Sequence, residues 1–298
     1  MVNERYTNDI DIFFGYENGQ FLGNSVTVVT SSSVPYSIVV DHFNNDSAFD
    51  FVVANYDHYS IGVFLRYGNG TFENERIHFI SSSRPLSLAV HDLNQDQQLD
   101  LIVANDGTSD GGVLLGYGDG NFTNPKTLST GFDSLSHAIV VGDFNDDTRP
   151  DIAVVNTGTN TIGVLLCHGD GTFSNQTAYP TGNHPIALYI GDFDNDTLLD
   201  IVVTNDDDNN TGIFLGNGNE TFKNQTTYTT GVRSQPSSVV VRNFSRDGQL
   251  DIVVANAGAT NVALLLRKGD GTLENQRIYP STIGSPRSVA VTDFDNDS

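Results

Sequence analysis

A nine-residue loop, Asp192-Phe193-Asp194-Asn195-Asp196-Thr197-Leu198-Leu199-Asp200, runs straight into the apolar stretch Ile201-Val202-Val203, and versions of it recur along the chain. Aligned on their first position, the copies begin at His42, Asp92, Asp143, Asp192, Asn243 and Asp293, at intervals of 50, 51, 49, 51 and 50 residues. Self-similarity at a fixed period means that each copy is one supersecondary unit unable to cover its own apolar face, so that the units must pack on one another. This constrains the fold more than any bulk property of the 298 residues.

Within a period the pattern is that of strands. In the second, Leu86-Ser87-Leu88-Ala89-Val90 alternates large and small residues, as in a strand with one crowded face. The acidic loop follows, then Leu101-Ile102-Val103-Ala104, a continuous apolar run expected of a strand covered on both faces. Gly112–Tyr117 reads as a third strand. Gly118-Asp119-Gly120 is a tight-turn signal, because such turns need positive φ, and the fourth strand, Asn124–Leu128, is more polar and carries a proline suited to a sheet edge. The turn recurs as Gly68-Asn69-Gly70, Gly169-Asp170-Gly171 and Gly269-Asp270-Gly271, and loses its last glycine in Gly218-Asn219-Glu220, where a looser turn is expected. Four-stranded antiparallel units of this length with polar outer strands point to an all-β propeller, with a side-by-side solenoid as the rival architecture. The blades fall at about 36–85, 86–136, 137–185, 186–236 and 237–286, and the sixth is split between 287–298 and 1–35 within one repeat domain. The apolar residue at loop position 2 (Phe43, Leu93, Phe144, Phe193, Phe244, Phe294) is expected to wedge between blades. Both ends break inside a period, which reads as a piece of a longer protein whose ring could hold six, seven or eight blades.

The loops carry oxygen-bearing side chains at positions 1, 3, 5 and 9, a spacing that aims alternate groups of a tight turn at one point, and calcium takes six to eight oxygens. A carbonyl at position 7, such as that of Leu198, can add another. Full sets are Asp92, Asn94, Asp96 and Asp100; Asp143, Asn145, Asp147 and Asp151; and Asp192, Asp194, Asp196 and Asp200. The first copy keeps Asn44, Asp46 and Asp50 but opens on His42, a poor partner for a hard cation unless Asp41 takes its place. The fifth has Asn243, Ser245, Asp247 and Asp251 with Arg246 inside, and should bind most weakly. The last has Asp293, Asp295 and Asp297 and stops before position 9. Several structural Ca2+ ions are the expected cofactors.

The segments GDFDNDTLLDIVVTN (191–205) and VLLCHGDGTF (164–173) resemble the FG-GAP or VCBS-type repeat, the blade of integrin alpha-chain propellers and of many secreted multi-domain proteins. The resemblance covers nearly the whole chain. It implies a β-propeller with calcium in the loops between the first and second strands, in an extracellular or cell-surface protein used for adhesion or recognition.

Strand parity puts the calcium loops and glycine turns at one end of each sheet and the loops between second and third strands at the other. The first end is nearly uniform, the second varied, and variable loops on a rigid scaffold are where recognition resides. Tyr56, His58 and Tyr59 are the best candidates there for holding a protein or carbohydrate ligand, and the run Asp206–Asp208 is read as a turn. No local motif assembles a nucleophile, base and acid, and the seven histidines are scattered through the period, so a non-catalytic module is expected. A propeller belonging to a polysaccharide-degrading enzyme and a structural spacer are the alternatives. Thirty-seven Asp and Glu against 14 Lys and Arg give a net charge of −23, which disfavours nucleic acids and anionic membranes as partners. The apolar runs are too short to span a bilayer. The single cysteine, Cys167, reads as a small buried hydrophobe. Sequons at Asn69, Asn121, Asn175 and Asn224 fit a secreted glycoprotein.

Overall fold

The computed structural model describes residues 2–4, 8–15, 20–21, 26–30, 34–80, 83–107, 110–268, 272–274, 276–282 and 284–293. Among them every regular element is a strand except one 3₁₀ turn, Tyr56–His58. The chain forms two compact units, residues 1–128 with 292–298, and residues 129–291.

The first unit holds three sheets. The N-terminal sheet is three-stranded: Val2–Glu4, Asp9–Ile12 and Val26–Val29. The first full sheet is Pro35–Asp41, Asp50–Asn55, Ser60–Phe64 and Arg76–Phe79; the second is Arg84–His91, Asp100–Asp106, Asp110–Leu114 and Lys126–Ser129. The second unit holds three more. These are Ser136–Gly142, Asp151–Asn156, Thr161–Leu165 and Thr177–Pro180 (third sheet); Pro185–Gly191, Asp200–Asn205, Asn210–Phe214 and Thr226–Thr229 (fourth); and Pro236–Arg242, Asp251–Asn256, Asn261–Leu265 and Arg277–Pro280 (fifth). Strands follow one another in sequence across every sheet, and the recorded pairs are antiparallel. Each first strand starts one or two residues ahead of the alternating apolar pattern, at a proline in three of the five. A register shift follows that start in every full sheet. The bulge explains the early start: proline, which lacks an N–H, is admitted at the first residue or at a bulge.

The second strand of every full sheet is buried along its length. In the first unit, Val52, Ala54, Ile61 and Val63 share a core with Leu101, Val103 and Leu114 of the next sheet. The same arrangement joins the third sheet to the fourth and the fourth to the fifth. Loop position 2 fills these seams: Phe43 meets Phe122 at 6.0 Å between ring centroids, and Phe144 meets Phe222 at 5.9 Å. Phe244 departs from the pattern and is 38% exposed. Phe294 and the turn Gly269–Gly271 lie outside the described residues.

The turn without its last glycine keeps its shape. Glu220 takes φ 59°, the left-handed conformation that Gly120 takes at 80°. Its N–H donates to Phe144 O at 3.2 Å, as Gly120 N–H donates to Phe43 O at 2.9 Å. The hydroxyl of Tyr179 binds Glu220 O at 2.6 Å and holds the turn that the sequence predicts to be looser. Residues 288–292, expected to supply the first strand of the split blade, form no strand.

Candidate cation-binding loops and the opposite loop ends

Position 9 of each loop is the first residue of the second strand, and Asp50, Asp100, Asp151, Asp200 and Asp251 are all fully buried. One oxygen of each carboxylate accepts the N–H of loop position 2, at 2.6 to 3.1 Å. The other accepts the N–H of a residue 16 further on, Arg66, Gly116, Cys167, Gly216 or Arg267, at 2.7 to 2.8 Å. The carboxylate thus pins the loop to the chain leaving the third strand. Sequence reasoning assigned position 9 to an ion alone; its burial at a strand start is the signal for this second task. Burial pushes the carboxyls of Asp50 and Asp100 above the usual range and those of Asp151 and Asp200 up to about 6, while the backbone donors pull the other way.

A left-handed residue occupies position 4, with φ of 59 to 61° at Asn45, Gln95, Asp146, Asn195 and Arg246. A second one occupies position 6 in four copies: Gln97, Thr148, Thr197 and Gly248. Thr197 at φ 74° is an unfavourable conformation for a β-branched residue, and its N–H is held by Asp192 Oδ2 at 2.9 Å. Asp92 and Asp143 hold the matching N–H groups of Gln97 and Thr148.

The copies differ in what they leave for an ion. In the fourth-sheet loop, carboxylate oxygens of Asp192, Asp194 and Asp200 lie within 4.8 Å of one another. Asp194 Oδ1 is buried without a hydrogen-bond partner. An all-oxygen set with one oxygen unclaimed fits a hard cation such as calcium. Lys223 Nζ stands 3.6 Å from the other Asp194 oxygen. In the second-sheet loop Asn94 donates to Asp96 at 2.9 Å, and in the third Asn145 donates to Asp147 at 3.1 Å. The third loop also contains Arg149, whose guanidinium pairs with Asp147 and holds that carboxyl below its ordinary range. The sequence set counted four good ligands here and overlooked this internal competitor at position 7. In the first loop His42 Nδ1 lies 2.9 Å from Ala48 O and its ring stacks on Phe49. Asp41 accepts the N–H of His42 at 2.8 Å. In the fifth, Ser245 Oγ donates to Asp251 at 3.1 Å and Asn243 accepts from Asp247 N at 3.2 Å. Asp293 is described, whereas Asp295 and Asp297 lie outside the described residues.

At the opposite end of the first sheet, Tyr56 and His58 form the 3₁₀ turn and Tyr59 ends it at φ 52°. The Tyr56 ring stacks on Tyr36 at 5.6 Å, and the Arg84 guanidinium lies 5.2 Å from its centroid. The Tyr56 hydroxyl donates to Asp106 Oδ2 at 2.6 Å. The hydroxyls of Tyr56 and Tyr59 raise the pKa of Arg84. The structure therefore gathers Tyr56 and Tyr59 around Arg84 and turns His58 away onto Phe79, at 5.7 Å. Sequence reasoning missed Tyr36, the second residue of Pro35–Asp41, and Arg84, the first of Arg84–His91. Arg84 and Asp106 are register partners. The corresponding place in the fourth sheet pairs His184 Nδ1 with Asp206 Oδ2 at 3.3 Å. Asp207 stands within 4.8 Å of both. Asp206–Asp208 forms a turn as expected, closed by Asn209 N–H on Asp206 O at 3.2 Å.

A sequence profile described as an FG-GAP-like repeat matches residues 42–103, 92–154, 143–203, 192–254 and 243–298. The chain belongs to the FG-GAP-like repeat family. No curated protein matches it in sequence. Solved structures show the fold of this FG-GAP-like chain at low identity. The periplasmic gluconolactonase of Pseudomonas aeruginosa has a TM-score of 0.68 and 16% identity over 92% of this chain and 77% of that one. Virginiamycin B lyase from Staphylococcus aureus has a TM-score of 0.66 and 14% identity over 96% and 83%. An Agrocybe aegerita lectin that recognises non-reducing terminal N-acetylglucosamine has a TM-score of 0.61 and 16% identity over 93% and 78%. With its repeated four-stranded sheets, this likeness makes the FG-GAP-like chain a β-propeller protein. Among the described residues no helix is long and apolar enough to cross a membrane.

Proposed function

We propose that this chain is a calcium-stabilised, non-catalytic recognition module of an extracellular or cell-surface protein, holding a protein or carbohydrate ligand at the ends of its sheets opposite the acidic loops. The observation that carries the reading is the contrast between the two ends. One end repeats the same loop with the same buried carboxylate anchor in five sheets. The other places dissimilar side chains at one register position, Arg84 with Asp106 and His184 with Asp206. A uniform framework with varied tips is how a scaffold separates stability from specificity. The Tyr36–Tyr56–Arg84–Tyr59 group combines aromatic surface with N–H and O–H donors, the mixture found where sugars and peptides are held. The ions belong in the second-, third- and fourth-sheet loops, with the fourth best suited because its oxygen is unclaimed. Glycan and matrix-protein arrays, read with calcium and with chelator, test the proposal. Binding lost in the combined Tyr56→Ala, Tyr59→Ala and Arg84→Ala variant with its fold intact is the expected result. Turnover of a bound glycan by the wild type, measured by a reducing-end assay, would overturn the non-catalytic part.

A further inference from the structure

Residues 233–287 hold seven of the chain's 14 basic residues and four acids, Asp247, Asp251, Asp270 and Glu274. Their net charge is 7 − 4 = +3, so the remainder carries −23 − 3 = −26. Part of this charge is concentrated at the loop end of the fifth sheet. Arg242 closes its first strand opposite Asp251, Arg246 sits at loop position 4, and Arg267 and Lys268 follow the third strand.

Arg267 is only 7% exposed. Its Nε and Nη1 are buried with no hydrogen-bond partner. Among the described residues no carboxylate lies within 4.0 Å of its guanidinium. Arg66, at the same place in the first sheet, also has a buried Nε without a hydrogen-bond partner, but its guanidinium rests on the ring of Phe14 at 5.2 Å. The second and fourth sheets have Gly116 and Gly216 there, and a Cβ on either would stand 2.2 or 2.4 Å from the carbonyl oxygen of Leu99 or Leu199, at loop position 8. A side chain at this position therefore leaves the backbone toward the loop. In the fifth loop positions 1 and 3 are neutral, Asn243 and Ser245, while Asp247 keeps the carboxylate of position 5. Asp251 is engaged by the N–H groups of Phe244, Ser245 and Arg267 and by Ser245 Oγ.

A buried guanidinium without a counter-ion is strongly unfavourable, and its planar fork of donors suits an oxyanion better than any neutral group. We propose that the loop end of the fifth sheet, built from the same repeat as the acidic loops, binds a sulfate- or phosphate-type oxyanion, with Arg267 Nε and Nη1 as the buried donors. The site is independent of calcium and of any ligand at the opposite end.

The test is thermal unfolding at constant calcium and ionic strength, with sodium sulfate replacing sodium chloride. Arg267→Gly and Arg267→Cys copy residues that other sheets hold at this place, so the fold accommodates both, and Arg66→Gly is the control for general salt effects. Wild type and Arg66→Gly should show a saturable rise in Tm with sulfate in the millimolar range. The Arg267 variants should lose it, with at least a tenfold weaker apparent affinity, and should be no less stable than wild type without sulfate. A sulfated monosaccharide giving the same saturation at lower concentration would mark a sulfate ester, and inorganic sulfate alone would mark the free ion. An equal response in wild type and both Arg267 variants would overturn the proposal. So would a flat wild-type response with destabilised variants, which would make Arg267 a hydrated structural residue.

Discussion

Replacing Asp151 with alanine separates the anchor role of loop position 9 from its role toward an ion. The substitution strips Phe144 N–H and Cys167 N–H of their acceptor in a fully buried place. Each orphaned donor costs about 1–3 kcal/mol, about 2–6 kcal/mol together. Opposing this, wild type at pH 7 carries a buried charge whose carboxyl is raised from 3.8 to about 6. That rise of roughly 2 units is worth about 3 kcal/mol against the folded state, and alanine removes it. In metal-free buffer at pH 7 the net effect should be small, from a gain of about 1 kcal/mol to a loss of about 3 kcal/mol. A carboxyl raised on folding binds its proton more tightly in the folded state, so its contribution improves as pH falls from about 6 toward 3.8. By pH 5 this adds about 1.3 kcal/mol to wild type relative to pH 7 and nothing to the variant. The assay is urea unfolding in a chelating buffer at both pH values, followed by far-ultraviolet circular dichroism because the chain has no tryptophan. A larger deficit at pH 5 than at pH 7 is expected. Equal stability of the two proteins at both pH values, with a gap opening only when calcium is added, would refute the anchor and leave only the ligand.

Calcium at ten times a Kd on the order of 10⁻⁴ to 10⁻³ M should add about 1.4 kcal/mol per site, hence about 4 kcal/mol over three loops. That should raise Tm by about 6–7 °C, with chelator reversing it; an unchanged melt in scanning calorimetry would remove the metal reading. Asp194→Ala should lower calcium affinity in titration calorimetry more than Asp46→Ala, because the fourth loop has the unclaimed oxygen and the first opens on His42. His78 is depressed below 6.5 by burial, with Arg76 adding to it, so the unfolded chain takes up a proton before the folded one and stability is lost as pH falls through 6.5. His78→Leu should remove up to about 1.4 kcal/mol per pH unit of that loss, read as the wild-type-minus-variant difference in urea midpoints. Burial raises the Cys167 thiol, so it should stay unlabelled by a thiol reagent in the native protein and react fully in denaturant.

The sheets were legible because their signals are local and redundant. A continuous apolar run such as Leu101–Ala104 can only be a strand buried on both faces, and the period repeats that signal five times. The spacing also carried the approach of positions 1, 3 and 9 in the fourth loop, a group that does not include Asp196 at position 5. What escaped depends on groups distant in sequence. Arg149 sits inside its own loop, yet only geometry shows it lying on Asp147. Tyr36, Arg84 and Asp106 become neighbours through pairing between strands and packing between sheets, and no short motif contains them. The second task of position 9 was hidden because an aspartate before a strand reads as a ligand or a turn former until its burial is known. The firm turn at Glu220 needed the Tyr179 hydroxyl, 41 residues away.

The buried aspartate at the head of each second strand has an evolutionary corollary. Since the backbone of each loop is already fastened from within, the residues facing outward are released from holding the sheet together. Side chains there can change while the neighbouring sheets persist. A tandem array built this way can vary one unit at a time, and residues 233–287, with a net charge of +3 against −26 for the remainder, are the stretch that differs most in charge.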